Sequence, residues 1–160
     1  MVFRMLLGLL IVSLSGAAHA QSDTRRNHYV DTYEYFSTDA QFEAWFTLTA
    51  QLNQDFDDIC GDTFCEGDYS NIQSLRLRCS VQQSGGRIGQ CLWIFAGSYE
   101  DIDPANGHVG VSSQVWPCML PLAPNSTIDE LMSALAVPHP LHATLPGTQV
   151  TIYDGLAECI

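Results

Sequence analysis

The stretch 75–95, LRLRCSVQQSGGRIGQCLWIF, decides the fold. In its first half Leu75, Leu77, Cys79 and Val81 alternate with Arg76, Arg78 and Ser80. In its second half Cys91, Trp93 and Phe95 recur at the same spacing. A period of two marks a strand with one buried face. Ser84-Gly85-Gly86-Arg87 lies between the halves and tolerates positive φ, so the chain reverses there as a hairpin. An odd-length loop centred on Gly85 sets Cys79 directly opposite Cys91. The same register sets Leu77 opposite Trp93 and Leu75 opposite Phe95, giving one continuous apolar face. A Cys79–Cys91 disulfide is the expected consequence.

Working outward, strands are expected at about 72–82, 90–99 and 107–116. The middle one is apolar on both faces, with Leu92, Ile94 and Ala96 opposing Trp93 and Phe95, so it reads as a central strand covered on each side. Residues 101–107, DIDPANG, form a turn, and Pro117, Pro121 and Pro124 break the chain after the third strand. Upstream, 38–56 is a helix. Thr38 and Gln41 make a capping box, and Phe42, Trp45, Phe46, Thr49, Leu52 and Phe56 form a helical stripe. A second, short helix follows the Thr127/Glu130 box, burying Ile128, Leu131, Met132 and Leu135, and Pro138 and Pro140 end it. Residues 149–153 read as a last short strand, and 28–36 as a leading strand or an ordered arm. The order α-β-β-β-α-β, with one strand optional in front, makes an α+β fold. It has an antiparallel sheet of three to five strands, one long N-terminal helix and one short C-terminal helix.

The first twenty residues read as a cleaved signal peptide. Arg4 precedes an apolar run of about a dozen residues, too short to span a bilayer, and Ala18-His19-Ala20 fits the cleavage pattern. Residues 21–160 then form a single domain, periplasmic or secreted, with no membrane insertion after cleavage. All six cysteines lie in it, and an even count in an exported chain argues for disulfides. After Cys79–Cys91, the pairs expected are Cys60–Cys65, closing a short polar loop, and Cys118–Cys159, tying the chain's end to its middle. A zinc site using Cys60 and Cys65 is the lesser alternative, because the spacings fit no ribbon pattern.

Charge narrows the function. The net charge is −12 in full and −13 once Arg4 leaves with the leader, and there is no lysine. Nucleic acid and anionic lipid are poor partners for such a chain. Schiff-base chemistry has no lysine to use. A basic protein is the partner that the charge favours.

Asp55, Asp57, Asp58, Asp62, Glu66 and Asp68 crowd around Cys60 and Cys65. They read as a disulfide-pinned acidic loop suited to a basic partner. Calcium is the alternative occupant, although the spacing departs from an EF-hand at Ile59 and Cys60. Tyr29, Tyr33, Tyr35 and Phe36 offer an aromatic surface for a peptide or glycan, or else core packing. Neither GxSxG nor SxxK frames a serine nucleophile. His139 and His142 stand around Pro140 in a loop rather than on a zincin helix. Asn125-Ser126-Thr127 matches a glycosylation acceptor, but also the cap of the second helix. The expectation is an exported, acidic, non-enzymatic binding protein, of inhibitor or immunity type, for a basic partner such as a cell-wall hydrolase. The alternatives are a small hydrolase with a dispersed acid/base site and a calcium-stabilised module.

Overall fold

The computed structural model describes residues 28–160; the leader expected over 1–20 and the polar start 21–27 lie outside the described residues. The hairpin forms. Strand β2 (Gln73–Gln82) pairs antiparallel with β3 (Ile88–Ile102), with Cys79 opposite Cys91 and Leu77 opposite Trp93. Gly86 makes the reversal at φ +68, its N–H donating to the Gln82 carbonyl at 2.9 Å.

Leu75 does not face Phe95. A bulge between Ser74 and Arg76 pairs Ser74 with Phe95 and turns Leu75 outward, 57% exposed. The cause is visible in the core. The Trp93 indole N–H donates to Ser74 Oγ at 2.7 Å, and that hydroxyl donates to Asn53 Oδ1 at 2.6 Å. A buried indole needs an acceptor, which a leucine at this position would not supply.

Strands β1 (Tyr29–Asp31) and β4 (Val109–Met119) complete an antiparallel sheet of order β1-β2-β3-β4. Strand β4 runs through Pro117 instead of ending before it. Asp103 N–H bonds to His108 O at one end of the β3–β4 ladder, and Leu120 N–H to Cys91 O at the other. Alternation between these bonds turns the even-numbered residues of β4 toward β3. Pro117 is odd, so its missing N–H falls on the open edge and costs no ladder bond.

Helix α1 (Thr32–Tyr35) continues β1, capped by Asp31, and buried Thr32 donates to the Cys79 carbonyl at 3.1 Å. Helix α2 (Asp39–Cys60) begins at the expected Thr38 cap and runs to Cys60, beyond the expected end at 56. Its buried stripe of Trp45, Leu48, Leu52 and Phe56 lies on the sheet, where the Phe56 ring is 4.6 Å from Phe95 and 6.1 Å from Trp93. Helix α3 (Ile128–Ala134) starts from the Thr127/Glu130 box, after a turn in which Asn125 takes φ +70.

The strand expected over 149–153 is instead helix α4 (Ile152–Ala157). Only Thr151 makes a β-bridge, to Thr144. Thr151 and Asp154 form a further capping box, and Ile152 and Leu156 bury one helical face. The order is therefore β-α-α-β-β-β-α-α, an α+β fold with the helices on one side of a four-stranded sheet. The three cysteine pairs are the expected ones: Cys60–Cys65, Cys79–Cys91 and Cys118–Cys159, with Cα separations of 5.0, 4.0 and 5.6 Å. They fit an oxidising compartment. Among the described residues, no helix is long and apolar enough to cross a membrane.

Among the described residues, strand β3 is covered on one face only. Cys91, Trp93 and Phe95 are fully buried beneath the helices, whereas Leu92, Ile94 and Ala96 are half-buried on the opposite face. The second apolar row, expected to lie under a covering layer, has none among the described residues.

Candidate functional site

The acidic loop divides. Asp57, Asp58, Asp62, Glu66 and Asp68 are exposed around the C-terminal end of α2 and the knuckle that follows. The Cys60–Cys65 disulfide fixes that knuckle, with Phe64 and Cys65 N–H groups donating to the Cys60 carbonyl at 3.1 and 2.6 Å. Phe64 stacks on Phe56 at 5.9 Å, anchoring the knuckle to the core. Among the described residues, the ion pairs are Arg78–Asp31 and His139–Asp55, so the knuckle's carboxylates are left uncompensated by arginine. No three His, Cys, Asp or Glu side chains among the described residues converge as a metal site requires, and the calcium reading gains no geometry here.

Asp55 belongs elsewhere. It is buried on the inner face of α2, 6% exposed, with Oδ2 accepting the Leu141 N–H at 3.1 Å. Its Oδ1 lies 3.1 Å from His139 Nδ1. The carboxylate thus fastens the 3₁₀ turn Pro140–His142 to the long helix. Its role is structural, and the 84-residue separation from His139 gave no local signal of it.

The aromatic group also divides. Phe36 is buried in the core, while Tyr33, 43% exposed, stacks on Phe42 at 6.4 Å. Tyr35 is half-buried against the Gly86 turn, its hydroxyl 2.5 Å from where a Cβ on that glycine would stand. Tyr33 and Tyr35 are linked through Phe42 and Phe36, with ring separations of 6.4, 5.7 and 6.3 Å along that chain.

Beside β1, an open cleft of about 640 Å³ is lined by His28, Tyr29, Asp31, Glu34, Arg78 and Gln90, among others. Asp31 pairs there with Arg78 and caps Tyr33 N–H at 3.0 Å. Partial burial works to raise the Asp31 carboxyl. The Tyr33 N–H, Arg78 and Arg76 outweigh it and hold the group below the ordinary value of 3.8. A carboxylate held ionised by arginine is poorly placed to donate a proton near neutral pH.

The surface that sequence reasoning missed is the other side of the sheet. Register places Leu92 beside Met119, Ile94 beside Pro117 and Ala96 beside Val115 on the uncovered face. Val115 and Met119 are 56% and 62% exposed. Arg76 and Arg78 stand next to this strip on β2, opposite Ile94 and Leu92. The face is thus an apolar strip with an arginine margin, while the exposed carboxylates of α2 and its knuckle lie on the helix layer. The available signal was the second apolar row of β3 and the run of valines in β4. No protein-family model, curated protein or solved structure matches this chain.

Proposed function

We propose that this chain is an exported, non-enzymatic binding protein, of inhibitor or immunity type, whose partner is a basic protein such as a cell-wall hydrolase. The observation that carries the reading is the uncovered sheet face, where Leu92, Ile94, Val115, Pro117 and Met119 form one apolar strip. Contiguous exposed apolar surface on an otherwise charged body is what a partner desolvates on binding. The net charge of −13 after leader removal steers a basic partner, and the five exposed carboxylates at the end of α2 and in its knuckle add a rigid concentration of it.

The two surfaces then have separable effects. Met119→Asp and Val115→Asp, at exposed positions, are expected to speed dissociation by about tenfold or more. Asp57→Asn with Asp58→Asn and Asp62→Asn is expected to slow association and flatten its salt dependence. The experiment is affinity capture at low salt from the native compartment, followed by binding kinetics of these variants with the captured protein. Recovery of no basic partner, or wild-type kinetics in both variant sets, overturns the reading.

A further inference from the structure

Among the described residues, strand β4 is an open edge of eleven residues, Val109–Met119. Its even-numbered residues bond to β3, so Val109, Val111, Ser113, Val115, Pro117 and Met119 turn their backbone groups to the open edge. Their side chains lie on the uncovered face, where Val109, Val111 and Val115 are 51%, 68% and 56% exposed. Helix α4 approaches this edge at Met119, whose carbonyl lies 3.7 Å from the Cβ position of Gly155. From Val109 to Pro117, five edge carbonyls and four N–H groups face outward, the missing donor being that of Pro117.

Proteins blunt such edges with charge, and this chain has eighteen carboxylates to do it with. None is used. Residues 104–128 contain no Asp, Glu, Lys or Arg. The opposite edge, β1, is three residues long and carries Asp31 paired with Arg78. Two bodies of charge −13 repel each other, and the charge-free strand is where they approach at least cost.

We propose that two copies of this chain pair antiparallel through β4, across a two-fold axis at Ser113. In that register Ser113 meets Ser113 of the second copy, Val111 meets Val115, and Val109 meets Pro117. Pro117 then accepts from Val109 N–H and needs no donor of its own. Val111 and Val115 become a cross-strand apolar pair on the uncovered face. The hairpin carboxylates Glu100 and Asp101 stay one strand behind the seam, opposite Val111 and Gly110 of their own chain. The eight-stranded sheet leaves the Leu92, Ile94 and Met119 part of the strip free while Val115 and Pro117 join the seam, so the pairing goes beyond the partner reading but shares those two residues with it.

Analytical ultracentrifugation of the purified chain against concentration and salt tests the pairing. The expected result is a two-chain mass whose association tightens as salt rises, because salt screens the repulsion between copies. Binding of a basic partner weakens with salt, so the two readings fail separately. Val111→Pro removes one edge donor per copy and is expected to weaken pairing about 30-fold. Ser113→Cys is expected to form a symmetric interchain disulfide under oxidation, since hydrogen-bonded antiparallel partners lie about 5.5 Å apart. Amide exchange in the wild-type chain adds a readout that does not depend on folding of a variant. Val109, Val111, Ser113 and Val115 should be protected in the pair and fast on dilution, while the even-numbered amides stay slow throughout. A single-chain mass at about millimolar concentration overturns the proposal. So does a pair that is indifferent to Val111→Pro with no Ser113→Cys cross-link, or edge protection that appears only when a different peptide or protein is added.

Discussion

Replacing Asp55 isolates a single buried carboxylate that joins the long helix to the turn before the C-terminal segment. In Asp55→Ala, the Leu141 N–H loses its acceptor while Leu141 itself stays fully buried. An unsatisfied buried donor of this kind costs about 1–3 kcal/mol. The second contact is weaker, because the His139 side chain is 75% exposed, and an exposed pair contributes about 0–1 kcal/mol. About 2–3 kcal/mol is therefore expected for Asp55→Ala. Asp55→Asn keeps one carbonyl oxygen for Leu141 N–H and should cost about 1 kcal/mol, and His139→Ala less than that. For a domain of this size, 1 kcal/mol lowers Tm by roughly 3–5 °C. Thermal unfolding by circular dichroism at neutral pH, with urea midpoints as a check, should rank the losses Asp55→Ala, then Asp55→Asn, then His139→Ala. An Asp55→Ala variant that melts with the wild type refutes the fastening role. A His139→Ala loss as large as that of Asp55→Ala would move the role to the imidazole and refute the assignment to Leu141.

Three further outcomes are expected. Glu130 and Asp154 are held below their ordinary values of 4.5 and 3.8, chiefly by the backbone N–H groups of Thr127 and Thr151, and Asp31 is lowered as described above. Carboxylates lowered in the folded state add stability that is fully present above those ordinary values and is lost as pH falls through the lowered ones, so Tm should drop steadily below about pH 4; an unchanged Tm down to about pH 2 contradicts this. Gly86→Ala places a Cβ at φ +68 and 2.5 Å from Tyr35 Oη, which should cost at least about 1–2 kcal/mol in urea unfolding, and adding Tyr35→Phe should recover the contact but not the backbone strain. Replacing Cys118 and Cys159 together by Ala, across a separation of 41 residues, should cost roughly 4 kcal/mol, against roughly 2 kcal/mol for Cys60 and Cys65 at a separation of 5, and the reverse order of urea midpoints would count against loop entropy as the cause.

The hairpin, the long helix and the Thr127-capped helix were legible because each is written in adjacent residues. Alternation, turn glycines and capping boxes act within a few positions. The failures mark where longer-range physics intervenes. Leu75 left the core face because Trp93, on the neighbouring strand, needs the Ser74 hydroxyl. The last helix was hidden because Val150 and Ile152 alternate like a strand over so short a window, although the Thr151/Asp154 box was present. Asp55 was grouped with its acidic neighbours in sequence. Its place three residues after Leu52 and one before Phe56 puts it instead on the buried stripe, with a partner far along the chain.

The second apolar row of β3 exposes a deeper ambiguity. Leu92, Ile94 and Ala96 announce that something apolar should lie over them, but a pattern of side chains does not say whether that cover is intramolecular. Here all the helices of the described residues lie on the other face, and their exposed outer surface carries Asp39, Glu43, Asp57 and Asp58. The sheet side carries Arg76 and Arg78 beside the strip, and an edge without charge. On the proposed function, this polarity separates rate from lifetime. The acidic helix layer raises the local concentration of a basic protein, and the strip decides how long it stays. A matching partner surface would have an apolar centre for the strip, carboxylates near Arg76 and Arg78, and positive charge farther out. Charge reversal at Arg76 should then weaken a partner that charge removal at Asp57 and Asp58 only slows. The opposite result would place the contact on the helix layer and leave the sheet face to another role.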